Sequence, residues 1–523
     1  MDSKQYILSP LEAYTAAQKW RVVKRSVDAR QRELKVHLTV LTDDAGKPVA
    51  KDAPIPLYEP PVFQDVHNAS RSAIIIGAGP AGLFAALTLI EHGIKPIIYE
   101  RGKEVSERKK DIALLNRNEG LNPESNYCFG EGGAGTFSDG KLFSRSKKRG
   151  NMQRVMELFH FFGAPDTVLY EAHAHIGSDK LPSIIKNIRD CILSHGGEIH
   201  FNTKIESLST FNFQLSTTPI ILAIGHSAHD TYRMLAAEGV ALETKGFAMG
   251  VRAEHPQSLI NRLMYHLSAK RSFSKAVFQQ SGLSGEAGQK DVVSLIGNAS
   301  YSLVTQVDGR GVYSFCMCPG GHIVPAGSTP DTCVVNGMSA SHRNSPFANS
   351  GMVVQINPED IPGNDPLRGL EYQESLEQLA FMQASQISNI KYQISNSSAA
   401  PAQRMKDFVE SRPSKDLPPC SYLPGIVPSR LDQWLPPHIG KRLQQGFRDF
   451  DRKYPGFLTN DAVILGVESR SSSAVRIPRD PETLQSVSTP GLYPCGEGAG
   501  YAGGITSSAL DGINAALKIA ALA

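Results

Sequence analysis

The sequence predicts an α/β protein with three parts: a small N-terminal module, a parallel-sheet domain in two pieces, and a mixed α+β domain inserted between them. Strand-like and helix-like segments alternate from about residue 71 to 235, and a glycine-rich turn at 77–82 joins the first strand to the first helix. A strand, a glycine-rich loop and an apolar helix follow residue 460. Such alternation favours a parallel sheet with crossover helices. At 523 residues the chain exceeds the roughly 250–300 residues at which one core stops growing.

Residues 1–65 form the expected N-terminal α/β module. A strand at 5–8 precedes a helix that Ser9 can cap, and two strand-like runs at 21–25 and 34–41 flank a turn-rich segment. Four prolines between residues 54 and 61 then indicate a linker.

Residues 240–460 show a different pattern from the segment before them. Strand-like runs at 292–296, 311–317 and 333–336 favour antiparallel pairing, and a helix is expected at 370–384. We therefore interpret 240–460 as an inserted substrate domain. The two pieces of the parallel-sheet domain are then expected at 71–235 and 461–523.

The turn GAGPAG at 77–82 has the pattern of a dinucleotide-binding βαβ unit. Its first glycine permits a tight turn, its second lets the backbone approach a pyrophosphate, and its third allows the helix to pack closely on the strand. Glu100 ends the second strand, eighteen residues after Gly82, where an acid binds ribose hydroxyls. This Rossmann-like unit predicts an adenine dinucleotide. The expected contacts are Gly77, Gly79, Pro80, Ala81, Gly82, Glu100 and Arg101.

The C-terminal segment decides which dinucleotide is expected. LYPCGEGAGYAGG, at 492–504, leads into a long helix whose N-terminus would stabilise negative charge at the N1/O2 edge of a reduced flavin. Glu497 is suited to bond a ribityl hydroxyl. The pattern predicts a split FAD-binding domain. Expected contacts are Gly496, Glu497, Gly503, Gly504 and Ile505, with Ala223 and Gly225 from the strand at 220–226.

A second glycine-rich segment, GEGGAGTFSDGK, contains too much glycine for a helix or a strand. Its free amides and Ser138 are expected to fold over the pyrophosphate or the flavin. Lys141 would either reach phosphate or remain a surface charge. The expected contacts are Gly132, Gly133, Ala134, Gly135, Ser138 and Lys141.

Four segments, at 24–30, 128–142, 315–321 and 466–480, together resemble the NAD(FAD)-utilizing dehydrogenase family within the glutathione-reductase-like FAD flavoprotein superfamily. The resemblance covers nearly the whole chain. It implies an FAD-binding fold and a ferredoxin-like N-terminal module, but no particular substrate. It also implies main-chain contacts to adenine from Lys204 and Ile205, on a strand-like run at 200–208. Ser469, Ser473 and Ala474 depart from the usual Thr and Pro, which affects local loop shape.

Several side chains are candidates for the chemistry. Cys316 and Cys318 share a face on a strand, either as a redox dithiol or as a packed substrate wall. His175 is a candidate proton donor beside the flavin. Together with His173 it could also bind a metal, but no further ligand follows at suitable spacing. No metal site is therefore predicted. Arg343 and Arg470 would either clamp an anionic substrate or form structural ion pairs.

These observations predict an FAD-dependent oxidoreductase that acts on an unidentified small molecule. No second fingerprint occurs between 240 and 460, so NAD(P)H is expected as a transient electron donor without its own Rossmann domain, and a redox partner is a further candidate. The alternative is an FAD-binding protein with a structural, regulatory or partner-binding role and no turnover. A third possibility, an RNA-modifying enzyme, is disfavoured by the net charge of +3 and the lack of a basic, aromatic-interleaved stripe.

The seven cysteines are scattered and odd in number, which is typical of reduced thiols in the cytoplasm. No apolar run reaches about 18 residues, and the N-terminus has no cationic segment followed by an apolar one. We therefore expect neither a membrane association nor a nucleic-acid partner.

Overall fold

The computed structural model describes residues 2–29, 34–52, 58–143, 150–211, 218–266, 293–388 and 398–522. The N-terminal module has three antiparallel strands in the order β1-β3-β2 and one helix that packs on β3. Ser9 and Glu12 form a capping box at the start of this helix. The strands and helix match the predicted positions, while the ferredoxin-like assignment stays a prediction. The elements are β1 (Asp2–Leu8), α1 (Pro10–Lys19), β2 (Val22–Asp28) and β3 (Lys35–Thr42).

A five-stranded parallel sheet follows, as predicted, with the strand order β19-β7-β4-β5-β6. Its strands are β4 (Ser72–Ile76), β5 (Lys95–Tyr99), β6 (Glu198–His200), β7 (Ile220–Leu222) and β19 (Leu492–Pro494). Its helices are α2 (Pro80–Glu91), α3 (Val105–Asn116), α4 (Met152–Phe161), α5 (Thr167–Tyr170), α6 (Leu181–Ser194), α7 (His229–Ala237) and α13 (Ile505–Ala520). Helix α13 packs closely against α2 and joins the two pieces of the parallel-sheet domain in one apolar core.

A seven-stranded, mostly antiparallel sheet forms the second large core, in the order β10-β11-β14-β9-β17-β15-β16. Its strands are β9 (Phe247–Pro256), β10 (Val304–Val307), β11 (Arg310–Cys318), β14 (Phe347–Ile356), β15 (Ala400–Arg404), β16 (Ile426–Pro428) and β17 (Val463–Glu468). Two small sheets pair β12 (His322–Pro325) with β13 (Val335–Met338), and β8 (Glu243–Thr244) with β18 (Val475–Arg476). The helices are α8 (Gln257–Met264), α9 (Arg368–Ser388), α10 (Met405–Val409), α11 (Leu431–Trp434) and α12 (Pro437–Lys453).

Three expected elements differ from the structure. Strand β17 lies in the second sheet, so the chain returns to the first sheet later than the expected boundary at 461. All six residues of β17 are buried, and such a strand has the same sequence pattern whichever sheet it joins. Residues 293–296, expected as a strand, are helical. The strand-like run at 200–208 ends its strand at His200, so Lys204 and Ile205 lie on a loop.

No helix within the described ranges combines the length and apolarity needed to cross a membrane. All seven cysteines are free thiols.

Candidate functional site

A cleft of about 230 Å³ lies at the carboxyl ends of the parallel strands. Gly77 follows β4, Glu100 follows β5, Ala223 follows β7, and Cys495 follows β19, and all four line the cleft. Ligands of open parallel sheets bind at this edge, outside the carboxyl ends of the strands. The opposite wall comes from the second sheet. The cleft therefore lies between the two large cores of the protein.

The fingerprint turn is packed so closely that two of its positions admit only glycine. Gly77 has φ +105°, and a Cβ atom there would lie 2.4 Å from the carbonyl oxygen of Ala223. A Cβ atom on Gly82 would lie 1.9 Å from the carbonyl oxygen of Gly77. These contacts bring the turn against β7 and seat α2 on its strand, as predicted for a dinucleotide-binding unit.

Two helix N-termini open into the cleft without a side-chain cap. Gly79 is the N-cap of α2 and Gly504 that of α13, and neither N-cap residue has a side chain to cap the first amides of its helix. The first amides of a helix carry a partial positive charge and suit an anion. The two starts fit the pyrophosphate and the flavin edge of the predicted FAD.

Glu100 joins the fingerprint turn to the second glycine-rich segment. Its buried carboxylate accepts hydrogen bonds from the amides of Ala78 (2.8 Å), Gly102 (2.8 Å) and Gly130 (3.0 Å). A carboxylate has about four acceptor positions, so one remains for the ribose contact expected from the sequence. The structure thus adds a structural role for Glu100 that its position in the motif did not indicate.

Arg108, which the sequence analysis did not single out, holds the second glycine-rich segment. Its fully buried guanidinium donates to the carbonyl oxygens of Asn126 (2.9 Å), Tyr127 (3.1 Å), Gly130 (3.2 Å), Glu131 (2.7 Å) and Gly133 (2.9 Å). Burial lowers the pKa of Arg108 to about 10, against the attraction of nearby acidic groups, so the side chain is charged at neutral pH. This cation fixes a loop that contains few side chains of its own.

Asp511, on α13, has a similar role at the C-terminal motif. Its carboxylate accepts a hydrogen bond from the Gly496 amide (2.7 Å) and a two-point ion pair from Arg479 (2.7 and 3.0 Å). Glu497 lines the cleft, with its carboxylate 3.4 Å from His226 Nδ1. The role of Asp511 could not be predicted from the local sequence, because its partners Gly496 and Arg479 lie 15 and 32 residues away.

Most of the expected cofactor contacts lie on one cleft wall. Those that line it are Gly77, Gly79, Pro80, Ala81, Glu100, Arg101, Gly133, Ala134, Gly135, Ser138, Lys204, Ile205, Ala223, Gly225, Glu497, Gly503, Gly504 and Ile505. Gly82, Gly132 and Gly496 lie immediately behind it, in the turns that form the wall. Lys141 lies elsewhere, as described below.

The charged groups at the cleft end near β5 neutralise one another. Arg101 makes a two-point ion pair with Asp230 (both 2.9 Å) and contacts Glu124 (2.6 Å), and Lys204 lies 2.6 Å from Asp230. Arg101 also stacks over Phe129 at 4.0 Å. The guanidinium of Arg101, an expected cofactor contact, is therefore already engaged with carboxylates, whereas the contact expected from Lys204 is one of its main chain.

The opposite wall is formed by Phe315 and Cys316 on β11 of the second sheet, Asn336 on β13, and Arg470 and Ser471 in the loop after β17. Of the two roles left open for Arg470, an anion clamp or a structural ion pair, its contacts favour the second. Its buried guanidinium makes a two-point ion pair with Glu377 (3.0 and 2.8 Å) and donates to Ser328 Oγ (2.9 Å). Because its fork is already occupied, Arg470 is a structural ion-pair partner at the wall.

The other expected chemical groups lie behind this wall. Arg343 makes a two-point ion pair with Asp139 (3.0 and 2.5 Å), and Lys141 Nζ lies 3.2 Å from the same carboxylate. His175 donates from Nε2 to the carbonyl of Ser341 (3.1 Å), and burial lowers its pKa. None of the three lines the cleft, so Arg343 and His175 are not beside the flavin position and Lys141 does not reach a phosphate. Lys141 lies instead against the cysteine pair.

The cysteine pair lies where β11 is irregular. Lys141 Nζ is 3.8 Å from Cys316 Sγ and 3.7 Å from Cys318 Sγ. Arg252, fully buried, donates to the carbonyl of Cys316 (2.8 Å), contacts Cys318 Sγ (3.5 Å) and forms a 3.0 Å ion pair with Glu468. The two thiols thus lie between two cations at the edge of the cleft.

Glu468 should make the stability of the folded protein depend on pH. Burial raises its pKa from 4.5 to about 7, against the attraction of Arg252. The folded protein therefore holds this proton more tightly than the unfolded chain, and the resulting stability is complete below about pH 4.5 and lost as the pH rises through about 7. We expect Glu468 to lower the free energy of unfolding by about 1.4 kcal/mol per pH unit between about pH 5 and 7.

Urea unfolding at several pH values checks this, because Glu468→Gln should flatten the slope in that range. The exposed Glu482→Gln is the control and should leave the slope unchanged. Equal slopes in the wild type and Glu468→Gln would contradict the expectation.

Among the described residues no three His, Cys, Asp or Glu side chains come together as a metal site would require.

Two family models match the chain. One, described as "FAD binding domain", matches residues 71–124 and begins at the predicted start of the parallel-sheet domain. The other, described as "FAD-dependent protein, C-terminal domain-like", matches residues 284–471. Both support FAD as the cofactor, as predicted, whereas the use of NAD(P)H stays a prediction.

Similar proteins include solved structures of low sequence identity and one relative of much higher identity. Among solved structures, CtdE in complex with FAD is 10% identical over 86% of this chain and 83% of its own, with a TM-score of 0.30. An oxidoreductase from Methanosarcina mazei is 11% identical over 85% of this chain and 99% of its own, with a TM-score of 0.31. An uncharacterized protein of Clostridium beijerinckii is 39% identical over 521 residues, which cover 95% of this chain and 91% of that protein. The chain therefore belongs to the same family as the Clostridium beijerinckii protein, and its matched domains are those of FAD-dependent proteins.

Proposed function

We propose that this protein is an FAD-dependent oxidoreductase that acts on a small molecule. The observation that carries the proposal is the composition of the cleft walls. One wall consists of the glycine-rich loops and open helix starts of a dinucleotide site, and the other presents Cys316 from β11, Asn336 from β13 and Ser471 from the loop after β17. A purely structural cofactor would not need a polar second wall facing it.

Four parts of the chain would hold the cofactor. The Gly79 amide and the start of α2 would hold the pyrophosphate, next to the second glycine-rich segment at Gly133, whose own amide donates to the Gly130 carbonyl (2.9 Å). Glu497 is placed for a ribityl hydroxyl, and the start of α13 for the flavin edge. The bound flavin would supply hydride or single-electron transfer, while the protein binds and orients it.

We propose NAD(P)H as a transient electron donor. Within the described part of 240–460, the strands form a mainly antiparallel sheet, which is unlike the parallel sheet of a second dinucleotide-binding domain. A nicotinamide donor would therefore approach the flavin from the cleft mouth and leave after reducing it.

Reconstitution tests this function. The flavin-free protein should bind FAD with a shift of the flavin absorbance, and anaerobic NADH or NADPH should bleach the bound flavin. A substrate panel would then be screened for reoxidation of the reduced flavin. Absence of FAD binding would overturn the proposal. A flavin that only dithionite reduces, with no turnover on the panel, would instead favour a structural or regulatory FAD protein.

A further inference from the structure

We propose that Cys316 and Cys318 form a dithiol–disulfide couple that exchanges two electrons with the bound flavin. The inference rests on the proposed function, because it requires FAD in the cleft. It adds a second redox centre to that site and places it on the second sheet.

The two thiols occupy different positions relative to the cleft. Cys316 lines it, beside Phe315 and Asn336, whereas Cys318 is buried behind. Both sulfurs lie within 3.8 Å of one ammonium nitrogen, Lys141 Nζ. The Lys141 ammonium group thus contacts both the accessible sulfur of Cys316 and the buried sulfur of Cys318.

The backbone brings these thiols together through a local irregularity. Phe315 pairs with Gly351 and Cys318 with Asn349, so three residue steps on β11 oppose two on β14. Such a bulge bends the strand and redirects its side chains. Cys316 itself has φ +46°, which is unfavourable for a residue with a Cβ atom. Strained backbone of this kind is concentrated at functional sites, because the fold must hold it in place.

The charges around the pair favour a thiolate. Three cations, Lys141, Arg252 and Arg343, face only two carboxylates, Asp139 and Glu468. The remaining groups in the pocket, His175 and the buried phenol Tyr301, add no charge at neutral pH, because burial lowers the pKa of the histidine and raises that of the phenol. At least one positive charge is thus left without a counter-charge, because Glu468, with a pKa of about 7, is only partly ionised at neutral pH, and a Cys316 thiolate would supply the missing negative charge.

The pKa directions agree with this charge count. A hydrogen bond from Cys318 lowers the pKa of Cys316 well below its usual value, and the nearby cations Lys141 and Arg252 add to this against the effect of burial. The pKa of Cys318 is raised well above its usual value by the hydrogen bond to Cys316 and by burial. The pair therefore holds one proton, on Cys318.

Other cysteines in the chain show a pKa shift opposite to that of Cys316. Burial raises the pKa of Cys191 to about 11 and of Cys333 to about 12, and it raises those of Cys420 and Cys495 as well. Thiols with raised pKa values are poor nucleophiles at neutral pH. The pair on β11 is distinguished from them by its two cations.

The redox step balances with the groups named. The Cys316 thiolate and the Cys318 thiol lose two electrons and one proton and form one sulfur–sulfur bond. Oxidised FAD accepts the two electrons and the proton and becomes the reduced anionic flavin, FADH⁻. The reverse reaction cleaves the disulfide and restores the thiolate and the thiol.

Electron counting in the FAD-loaded protein tests the proposal. After oxidation by diamide and removal of the reagent, anaerobic dithionite titration should consume four electrons per FAD in the wild type. Cys316→Ser and Cys318→Ser should each consume two, and Cys333→Ser, a buried cysteine without a cation neighbour, should consume four. A wild type that consumes two electrons would overturn the couple but leave the proposed function intact, whereas failure to bind or reduce flavin would overturn both.

Alkylation and mass spectrometry give a readout that does not depend on the flavin. In the Cys333→Ser background, the tryptic peptide 311–343 contains only this cysteine pair. Diamide should lower its mass by two hydrogens and block alkylation of both thiols. A peptide that remains fully alkylated after diamide would contradict the proposal.

Lys141→Met tests the thiolate separately, in the flavin-free protein. Loss of the ammonium group should raise the pKa of Cys316 and slow its alkylation by iodoacetamide at neutral pH by about tenfold, equivalent to about one pKa unit. Lys441→Met, at an exposed position on α12, should leave the rate unchanged. An unchanged rate in Lys141→Met would overturn the assigned role of this cation.

Discussion

Gly79→Asp is expected to abolish FAD binding while leaving the fold intact. Gly79 is the N-cap of α2, with φ −77°, a conformation open to any residue, and a Cβ atom there would meet only Gly133 Cα, at 3.8 Å. Aspartate is among the best N-cap residues and contributes about 1 kcal/mol to a helix start. The same carboxylate would occupy the position proposed for the pyrophosphate and repel it. We expect FAD affinity to fall by at least about 100-fold, or about 2.7 kcal/mol.

Two measurements on one variant separate folding from binding here. The urea midpoint of flavin-free Gly79→Asp should equal or exceed that of the wild type, while titration with FAD should give no absorbance shift at micromolar concentration. Gly79→Ala, which adds a methyl group without charge where the backbone approaches the pyrophosphate, should weaken FAD binding much less than Gly79→Asp. Normal FAD binding by Gly79→Asp would show that the pyrophosphate does not lie at the start of α2.

The parts of the site that could be predicted from sequence are those whose partners are close in the chain. Gly77, Gly82 and Glu100 fall within one βαβ unit, and their spacing alone determines a turn, a helix start and an acid at the end of a strand. At Gly77 and Gly82 the fold requires a residue without a Cβ atom. This requirement can be recognised in the sequence because only glycine meets it.

The charged side chains were harder to place because a charge does not specify its partner. Arg343 pairs with Asp139, 204 residues away, and Arg470 pairs with Glu377, 93 residues away. Each arginine has the same local context whether it binds a substrate or a carboxylate of its own chain. Lys141 follows the glycine-rich segment, which suggested a phosphate contact, yet the fold brings β11 against it.

Cys316 and Cys318 could be predicted in part, from their spacing, and in part could not, because their neighbours are distant in the chain. Their spacing indicated that two thiols could share a face, and the open alternatives were a redox dithiol or a packed wall. What the sequence could not indicate is the bulge at Cys316 or the arrival of Lys141 and Arg252 from distant strands and loops. Those long-range contacts are what favour the redox alternative.

Arg108→Met is expected to produce the largest loss of stability among single substitutions near the cleft. Its guanidinium, fully buried, donates to five backbone carbonyl groups in and beside the second glycine-rich segment. Methionine fills much of the space but removes all five donor contacts, and the carbonyls of Asn126 and Tyr127 lose the donor that the structure gives them, whereas Gly130, Glu131 and Gly133 keep a weaker local one. Each buried, unsatisfied polar group costs about 1–3 kcal/mol. Because the segment relaxes in part, we expect the free energy of unfolding to fall by about 3–5 kcal/mol.

The same change should weaken FAD binding, because Gly133, Ala134 and Gly135 line the cleft and Arg108 holds the segment from behind. Arg108→Lys keeps the charge but has three donors in place of five, so both losses should be smaller than in Arg108→Met. Arg117→Met, one residue beyond α3 with a side chain 60% exposed, is the matched control and should change stability by less than about 0.5 kcal/mol. Urea unfolding and FAD titration of the three variants measure both effects. If Arg108→Met lost stability but bound FAD normally, the glycine-rich segment would contribute to the fold and not to the cofactor site.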